Sequence, residues 1–307
     1  MTTNHIKEIY SIFKKSSGIS TDTRSIKENS IYFALKGPNF NGNNFAEDAL
    51  EKGSILAVVD DKSLDGISDK FFFVEDSLKA LQDLASYHRS QLKIPFVGLT
   101  GSNGKTTTKN LIEKVLASKY KVHATEGNFN NHIGVPLTIL SITDEDEIAI
   151  IEMGASAVGE IKLLCEISKP TLGLITNISN AHVKGFENIE GVIRGKSELF
   201  DYLLKNNGQV IINDFDDIIK NFSKRFNDAI HLDENDSTIN VKLLESTPKI
   251  KFQINDGDIF VSDLFGDYNF QNILFALVIG KYFKIDLKES SKIVSDYIPD
   301  NNRSERI

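Results

Sequence analysis

Lys105 and Thr106 stand inside "GLTGSNGKTTTKNL", residues 98–111, and their types and spacing are those of a phosphate-binding loop. A lysine ammonium at this place can reach terminal phosphates, and the hydroxyl beside it can ligate Mg²⁺. Gly101 and Gly104 allow the backbone to approach an anion closely. If a helix begins here, the peptide amides from Ser102 and Asn103 through Lys105, Thr106 and Thr107 can point at that anion, and the helix dipole favours its charge. The common form of the loop has a further glycine where Leu99 stands. The departure marks a different subclass of phosphate loop and leaves the chemistry in place.

Such a loop works only between a strand and a helix. The run 94–99 is apolar and β-prone, and Leu111, Ile112, Val115 and Leu116 share one face of a helix over 106–118. The alternation continues with strands at 121–124, 147–153, 172–177 and 208–213 and helices at 134–140, 158–168 and 188–205. This pattern predicts an α/β fold with a mostly parallel sheet and helices on both faces. Ligands of open α/β sheets sit beyond the carboxyl ends of the strands. Glu152 leaves one strand there ("IIEMGAS") and His182 follows another ("NISNAHVKGF"). A carboxylate and an imidazole beside Thr106 can hold one or two Mg²⁺ ions, although a polar residue leaving a strand is common. Lys196 lies on or at the edge of the apolar face formed by Val192, Ile193, Leu199 and Phe200. Two readings follow. The ammonium snorkels to water beside Glu198, or burial lowers its pKa and exposes a neutral amine able to take up CO₂ as a carbamate.

The rest of the chain frames these residues. Its 307 residues allow about two domains. Residues 1–92 hold short strands (30–35, 55–59, 71–74) and helices (45–52, 77–91), with "GPNFNGNNF", residues 37–45, as a loop. Residues 93–307 hold the phosphate-loop unit, with two or three short strands in 238–262 and helices at 268–282 and 288–297. A net charge of −8 argues against nucleic acid as a partner. No stretch reaches the ~20 apolar residues of a membrane span, and no apolar signal core follows Met1, so a cytoplasmic protein is expected. The single cysteine, Cys165, rules out an internal disulfide and reads as a packed core thiol.

"TGSNGKTTTKNLI", "EGNFNNHIGVPLTIL", "IIEMGAS", "GLITNISNAHVKGF" and "GVIRGKSELF" follow one another as in the Mur ligases. "STDTRSIKENSIYFALKGPNFNGNNFAEDALEKGS" resembles their uridine-nucleotide-binding domain. The stretch 127–140 is similar to that of the branch adding D-alanyl-D-alanine. The resemblance implies a small N-terminal UDP-binding α/β domain and a central ATPase domain. It implies an ATP-dependent amide ligase joining UDP-N-acetylmuramoyl-tripeptide to D-alanyl-D-alanine through an acyl phosphate. Lys105 and the surrounding loop would hold ATP, with Thr106 and Glu152 on one Mg²⁺ and His182 and carbamylated Lys196 on a second. Asn269, Asn272 ("GDYNFQN") and Arg303 would meet the nucleotide, Thr23 and Arg24 the uridine nucleotide, and Asn130 and Asn131 the substrate channel. The family's usual Asn-x-Asp after the strand 208–213 is broken, because Phe215 takes the place of the Asp. The family's third domain follows the arginine matched by Arg303. With Ile307 as the last residue, the resemblance implies that this domain is absent, and a monomer is expected. Three rival readings stand beside this one: a Mur-type ligase with another acceptor, a non-catalytic nucleotide-binding module, and a generic phosphate-loop NTPase.

Overall fold

Uninterrupted apolar runs become strands covered on both faces, as parallel sheets require. The computed structural model describes residues 3–179, 183–232 and 239–299, so His182 and Arg303 lie outside the described residues. The chain divides into two units, one of residues 1–93 with 132–144, the other of 94–131 with 145–307.

The first unit contains α1 (Thr3–Phe13), β1 (Ile19–Ser20), β2 (Ile31–Phe33), β3 (Lys36–Gly37), β4 (Phe40–Asn41), α2 (Ala46–Glu51), β5 (Leu56–Val59), β6 (Phe71–Phe73) and α3 (Ser77–Gln91), together with the later helix Gly134–Leu140. Its sheet runs β1-β2-β5-β6, all parallel, and β2 and β5 are buried throughout. The Gly- and Asn-rich stretch 37–45 is not wholly irregular. β3 and β4 pair as a short antiparallel hairpin, and Asn43 ties it down by donating from Nδ2 to Asp60 Oδ1 at 2.7 Å. Helix α1 is a finding: Ile6, Ile9 and Phe13 recur at helical spacing and are buried.

His88 on α3 sits inside this unit. It is 3% exposed, with Nε2 3.0 Å from the Ile142 carbonyl oxygen and Nδ1 3.2 Å from the Tyr10 hydroxyl. Burial, opposed by the Ile142 hydrogen bond, holds its pKa below 6.5. The unfolded chain therefore takes up a proton near pH 6.5 that the folded one refuses. This residue costs nothing above that pH, and its penalty grows as pH falls toward the folded pKa. Urea midpoints should drop as the pH falls below about 6.5, and His88→Gln should flatten that segment of the profile.

The second unit contains β7 (Phe96–Thr100), α4 (Lys105–Ala117), β8 (Val122–Ala124), β9 (Ile148–Glu152), α6 (Glu160–Ser168), β10 (Leu172–Ile175), α7 (Val183–Phe186), α8 (Ile189–Lys205), β11 (Gln209–Asn213), α9 (Asp217–Phe222), β12 (Ile230–Leu232), β13 (Val241–Glu245), β14 (Ile250–Ile254), β15 (Ile259–Ser262), α10 (Asp267–Tyr282) and α11 (Leu287–Ser295). The helix Gly134–Leu140 is α5 in this numbering. Six parallel strands run β12-β11-β10-β7-β9-β8, so the carboxyl ends of β7, β9, β10 and β11 share one edge. The expected strands within 238–262 form an antiparallel sheet β13-β14-β15, with Ile250, Phe252 and Ile254 alternately buried. Helix α10 is apolar on nearly every side and buried from Asn272 to Gly280. Cys165 is fully buried beside Met153, and burial raises its thiol pKa. Among the described residues, no helix is long and apolar enough to cross a membrane.

Candidate active site

The loop after β7 is shaped by two glycines. Gly104 has φ +78° and starts α4. Gly101 has φ +152°, and a Cβ there would lie 1.9 Å from Thr176 Oγ1. The segment following β10 holds the loop from behind. Ser102 N donates to Asn177 O at 2.9 Å, Asn103 N to Asn177 Oδ1 at 3.0 Å, and Thr176 Oγ1 to Asn103 O at 2.6 Å. The amides of Ser102 and Asn103 are thus engaged in holding the loop. The helix start, Gly104 to Thr107, lines a cleft of about 320 Å³ with Ser102, Asn103, Tyr268, Asn269 and Asn272. Lys105 lies along this cleft and donates from Nζ to Gly101 O (2.8 Å) and Ser102 O (3.2 Å).

Asn269 and Asn272 are brought to the cleft, but both are almost fully buried. Thr108 Oγ1 donates to Asn272 Oδ1 (2.9 Å), Asn272 Nδ2 to Asn269 Oδ1 (3.0 Å), and Asn269 Nδ2 to Phe265 O (2.9 Å). This chain of bonds staples α10 to α4. The neighbouring Tyr268 is 53% exposed and offers the cleft an aromatic wall, a residue that the sequence reading passed over within the same segment.

Glu152 ends β9 on the same sheet edge. It is 1% exposed. Its Oε1 accepts from Asn130 Nδ2 at 2.8 Å, and its Oε2 is buried without a hydrogen-bond partner among the described residues. A buried carboxylate oxygen without a donor is costly, and a divalent cation is one group that can satisfy it. The donor set therefore fits Mg²⁺ at Glu152. No cluster of three or more His, Cys, Asp or Glu side chains able to hold a metal occurs among the described residues. Asn131 beside Asn130 is exposed.

Lys196 does not snorkel. It is 2% exposed, its Nζ makes a long 3.5 Å hydrogen bond to Ala155 O, and it lies 5.6 Å from the Phe186 ring centroid. Burial first, then the positive charge of Lys105, pushes its pKa down to about 8, against Glu160 and Glu198, which pull upward. Glu198 is committed elsewhere, accepting from Gly159 N (2.6 Å) and Lys162 N (2.8 Å) at the start of α6. The broken Asn-x-Asp has a neighbour at work. Asp216 accepts from Ile178 N at 2.8 Å and caps α9 through Ile218 N and Ile219 N, which anchors the segment behind the phosphate loop. The fully buried Asn213 donates to Thr176 O at 2.7 Å.

In the first unit, Thr23 and Arg24 lie in a 3-10 turn after β1, capped by Asp22. Arg24 pairs with Asp22 at 2.6 Å, and these hydrogen bonds hold the Asp22 carboxyl near 2. Thr23 reaches Asp48 on α2.

Known proteins resemble this chain. The model of the Mur ligase middle domain matches residues 99–280, and that of the Mur ligase family catalytic domain matches residues 15–89. The UDP-N-acetylmuramoyl-tripeptide–D-alanyl-D-alanine ligase of Bacillus subtilis (strain 168) is 35% identical over 293 residues, covering 91% of this chain and 61% of the relative. The enzyme of that name from Escherichia coli (strain K12) is 37% identical over 195 residues, 64% of this chain and 42% of the relative. A crystal structure of MurF from Acinetobacter baumannii superposes with TM-score 0.81 at 26% identity, covering 98% of this chain and 69% of that one. MurF ligase from Thermotoga maritima in complex with ADP gives 0.77 at 25% identity, covering 94% and 67%. The chain spans about three fifths of the Bacillus subtilis relative. With one family model covering more than half of the residues, including the loop of Lys105, the edge of Glu152 and the helix of Lys196, the chain belongs to the Mur ligase family.

Proposed function

We propose that this chain carries the nucleotide-binding and precursor-binding units of an ADP-forming carboxylate–amine ligase of peptidoglycan synthesis. Its substrates are ATP, UDP-N-acetylmuramoyl-tripeptide and D-alanyl-D-alanine. The observation that carries this reading is the buried Glu152 carboxylate, with one oxygen unpartnered among the described residues, on the same sheet edge as the Lys105 loop. The names of the relatives, and the ADP in the Thermotoga structure, support the choice of substrates.

A carboxylate is a poor electrophile. Its oxygen attacks the terminal phosphorus of ATP, the bond to the bridging oxygen breaks, and ADP leaves an acyl phosphate behind. The amine of the dipeptide then adds to the acyl carbon, and the tetrahedral adduct expels phosphate. Lys105 releases its loop carbonyls to meet the terminal phosphates and neutralises charge on the phosphoryl group in transit. Thr106 and Glu152 would hold one Mg²⁺, and Lys196 with His182 would hold a second. When bound, the ions screen the phosphate charge and act as Lewis acids. Lys196 serves as a carbamate. Its neutral amine adds to CO₂, loses a proton and becomes a carboxylate on a long arm. Thr23 and Arg24 meet the uridine nucleotide. Asn269, Asn272 and Arg303 belong to the ATP side, the first two by shaping the cleft. Asn131 lies toward the substrate channel, and the protein acts as a cytoplasmic monomer.

Incubation with ATP, Mg²⁺, bicarbonate, the UDP-tripeptide and D-alanyl-D-alanine, followed by mass spectrometry, tests the reading. The pentapeptide product should form and vanish with Lys105→Ala. ATP and UDP-tripeptide binding without product would reduce the chain to a binding unit, and absence of ATP binding would overturn the reading.

A further inference from the structure

The two oxygens of Glu152 are in different states. Oε1 is held by the Asn130 side-chain amide at 2.8 Å, and Oε2 is buried with no hydrogen-bond partner among the described residues. Asn130 is itself fixed from three directions. Its backbone carbonyl accepts from Gly154 N at 2.8 Å, and its backbone N–H donates to Asn128 O at 2.7 Å. Its side chain fills the space beside Gly154, where a Cβ would come within 2.8 Å of Oδ1 and 2.9 Å of Cγ. Thr125 Oγ1 accepts the Glu152 backbone N–H at 3.0 Å, fixing the end of the strand.

The donor's chemistry matters. A lysine or arginine here would orient the carboxylate and cancel its charge. A neutral amide orients it and leaves the charge for a cation. We infer that Asn130 is a positioning residue for Glu152, locking Oε1 so that Oε2 is left to a divalent cation, rather than a residue that touches the peptide substrate. This rests on the proposed role of Glu152 as a cation ligand.

The test compares the affinity of the full chain for AMPPNP, a non-hydrolysable ATP analogue, with Mn²⁺ and with EDTA, by calorimetry. The ratio of the two affinities is the metal gain. Glu152→Gln should abolish the gain. Asn130→Ala should cut it about tenfold while leaving the EDTA affinity near wild type, and it should lower the melting temperature because Oε1 loses its donor. Gly154→Ala, which must push the Asn130 amide aside, should act in the same direction, and it carries the test if Asn130→Ala fails to fold. A gain kept in Asn130→Ala but lost in Glu152→Gln overturns the positioning role and spares the reading of Glu152. A gain absent in wild type, or kept in Glu152→Gln, overturns both. A gain kept in Asn130→Ala with weakened UDP-tripeptide binding returns Asn130 to the substrate.

Discussion

A Gly101→Ala substitution is expected to lower ATP affinity at least ~100-fold and to destabilise the protein by about 3 kcal/mol. The backbone at Gly101 has φ +152°, which side chains rarely adopt, and the new Cβ would stand 1.9 Å from Thr176 Oγ1 and 3.1 Å from the Thr176 backbone nitrogen. Thr176 is 2% exposed and has nowhere to turn. Its hydroxyl also holds Asn103 O, so any retreat loosens the loop from the segment behind it. The Gly101 carbonyl that Lys105 grips moves with the same residue. Thr176→Ala added to Gly101→Ala should recover part of the stability, because it removes the closest collision and leaves the backbone strain. Gly127→Ala is the control. Gly127 also has positive φ, at +52°, but a Cβ there meets nothing within 4 Å, so it should cost only the backbone strain of about 1–2 kcal/mol and leave ATP affinity intact. Thermal melts and calorimetry with ATP decide. Equal behaviour of the two alanine variants would show that the contact with Thr176 does not shape the loop.

The contrast marks what a sequence can say about such a site. Lys105, Gly101 and Gly104 were legible because a phosphate loop imposes a fixed local spacing. The parallel strands were legible because burial on both faces leaves unbroken apolar runs, as in β7 and β9. Lys196 was legible as a lysine on an apolar face. Its fate was not, because Glu198, two positions on, points to the amides of Gly159 and Lys162, a contact that no spacing encodes. The same holds for Asp216 reaching Ile178 and for the bonds from Thr108 through Asn272 to Asn269. Asp216 meets Ile178, and Thr108 meets Asn272, far apart in the chain, so a buried asparagine on one helix also holds two helices together. Helix α5 shows the limit in another way. Its apolar run announces a helix, yet nothing in that run says that it packs on α3 within the first unit. Helix α1 was overlooked for a local reason, since its polar residues outnumber the three buried ones that define its face.

Lys196→Met should make the protein more stable and end its use of this position. Lys196 is 2% exposed, and its pKa is pushed down to about 8 by burial and by Lys105. In the unfolded chain the group has its ordinary 10.5. The unfolded state therefore binds more protons between these values, and stability from this residue rises with pH across that window. Below about pH 8 the native state carries the whole penalty, which the shift sets at about 3 kcal/mol. Methionine has similar length and no charge to bury. Urea midpoints should thus favour Lys196→Met by up to that amount at pH 7, and the advantage should shrink toward pH 10.5. An advantage constant with pH would mean that packing, not charge, sets it. The penalty has a chemical counterpart. A pKa near 8 leaves roughly a tenth of the amine neutral at pH 7, about 300-fold more than a solvent-exposed lysine offers. Only that neutral amine adds to CO₂. The same burial that weakens the fold thus raises the neutral fraction, and if the proposed carbamate forms, the mass increment of one CO₂ on the wild-type protein in bicarbonate should be absent from Lys196→Met.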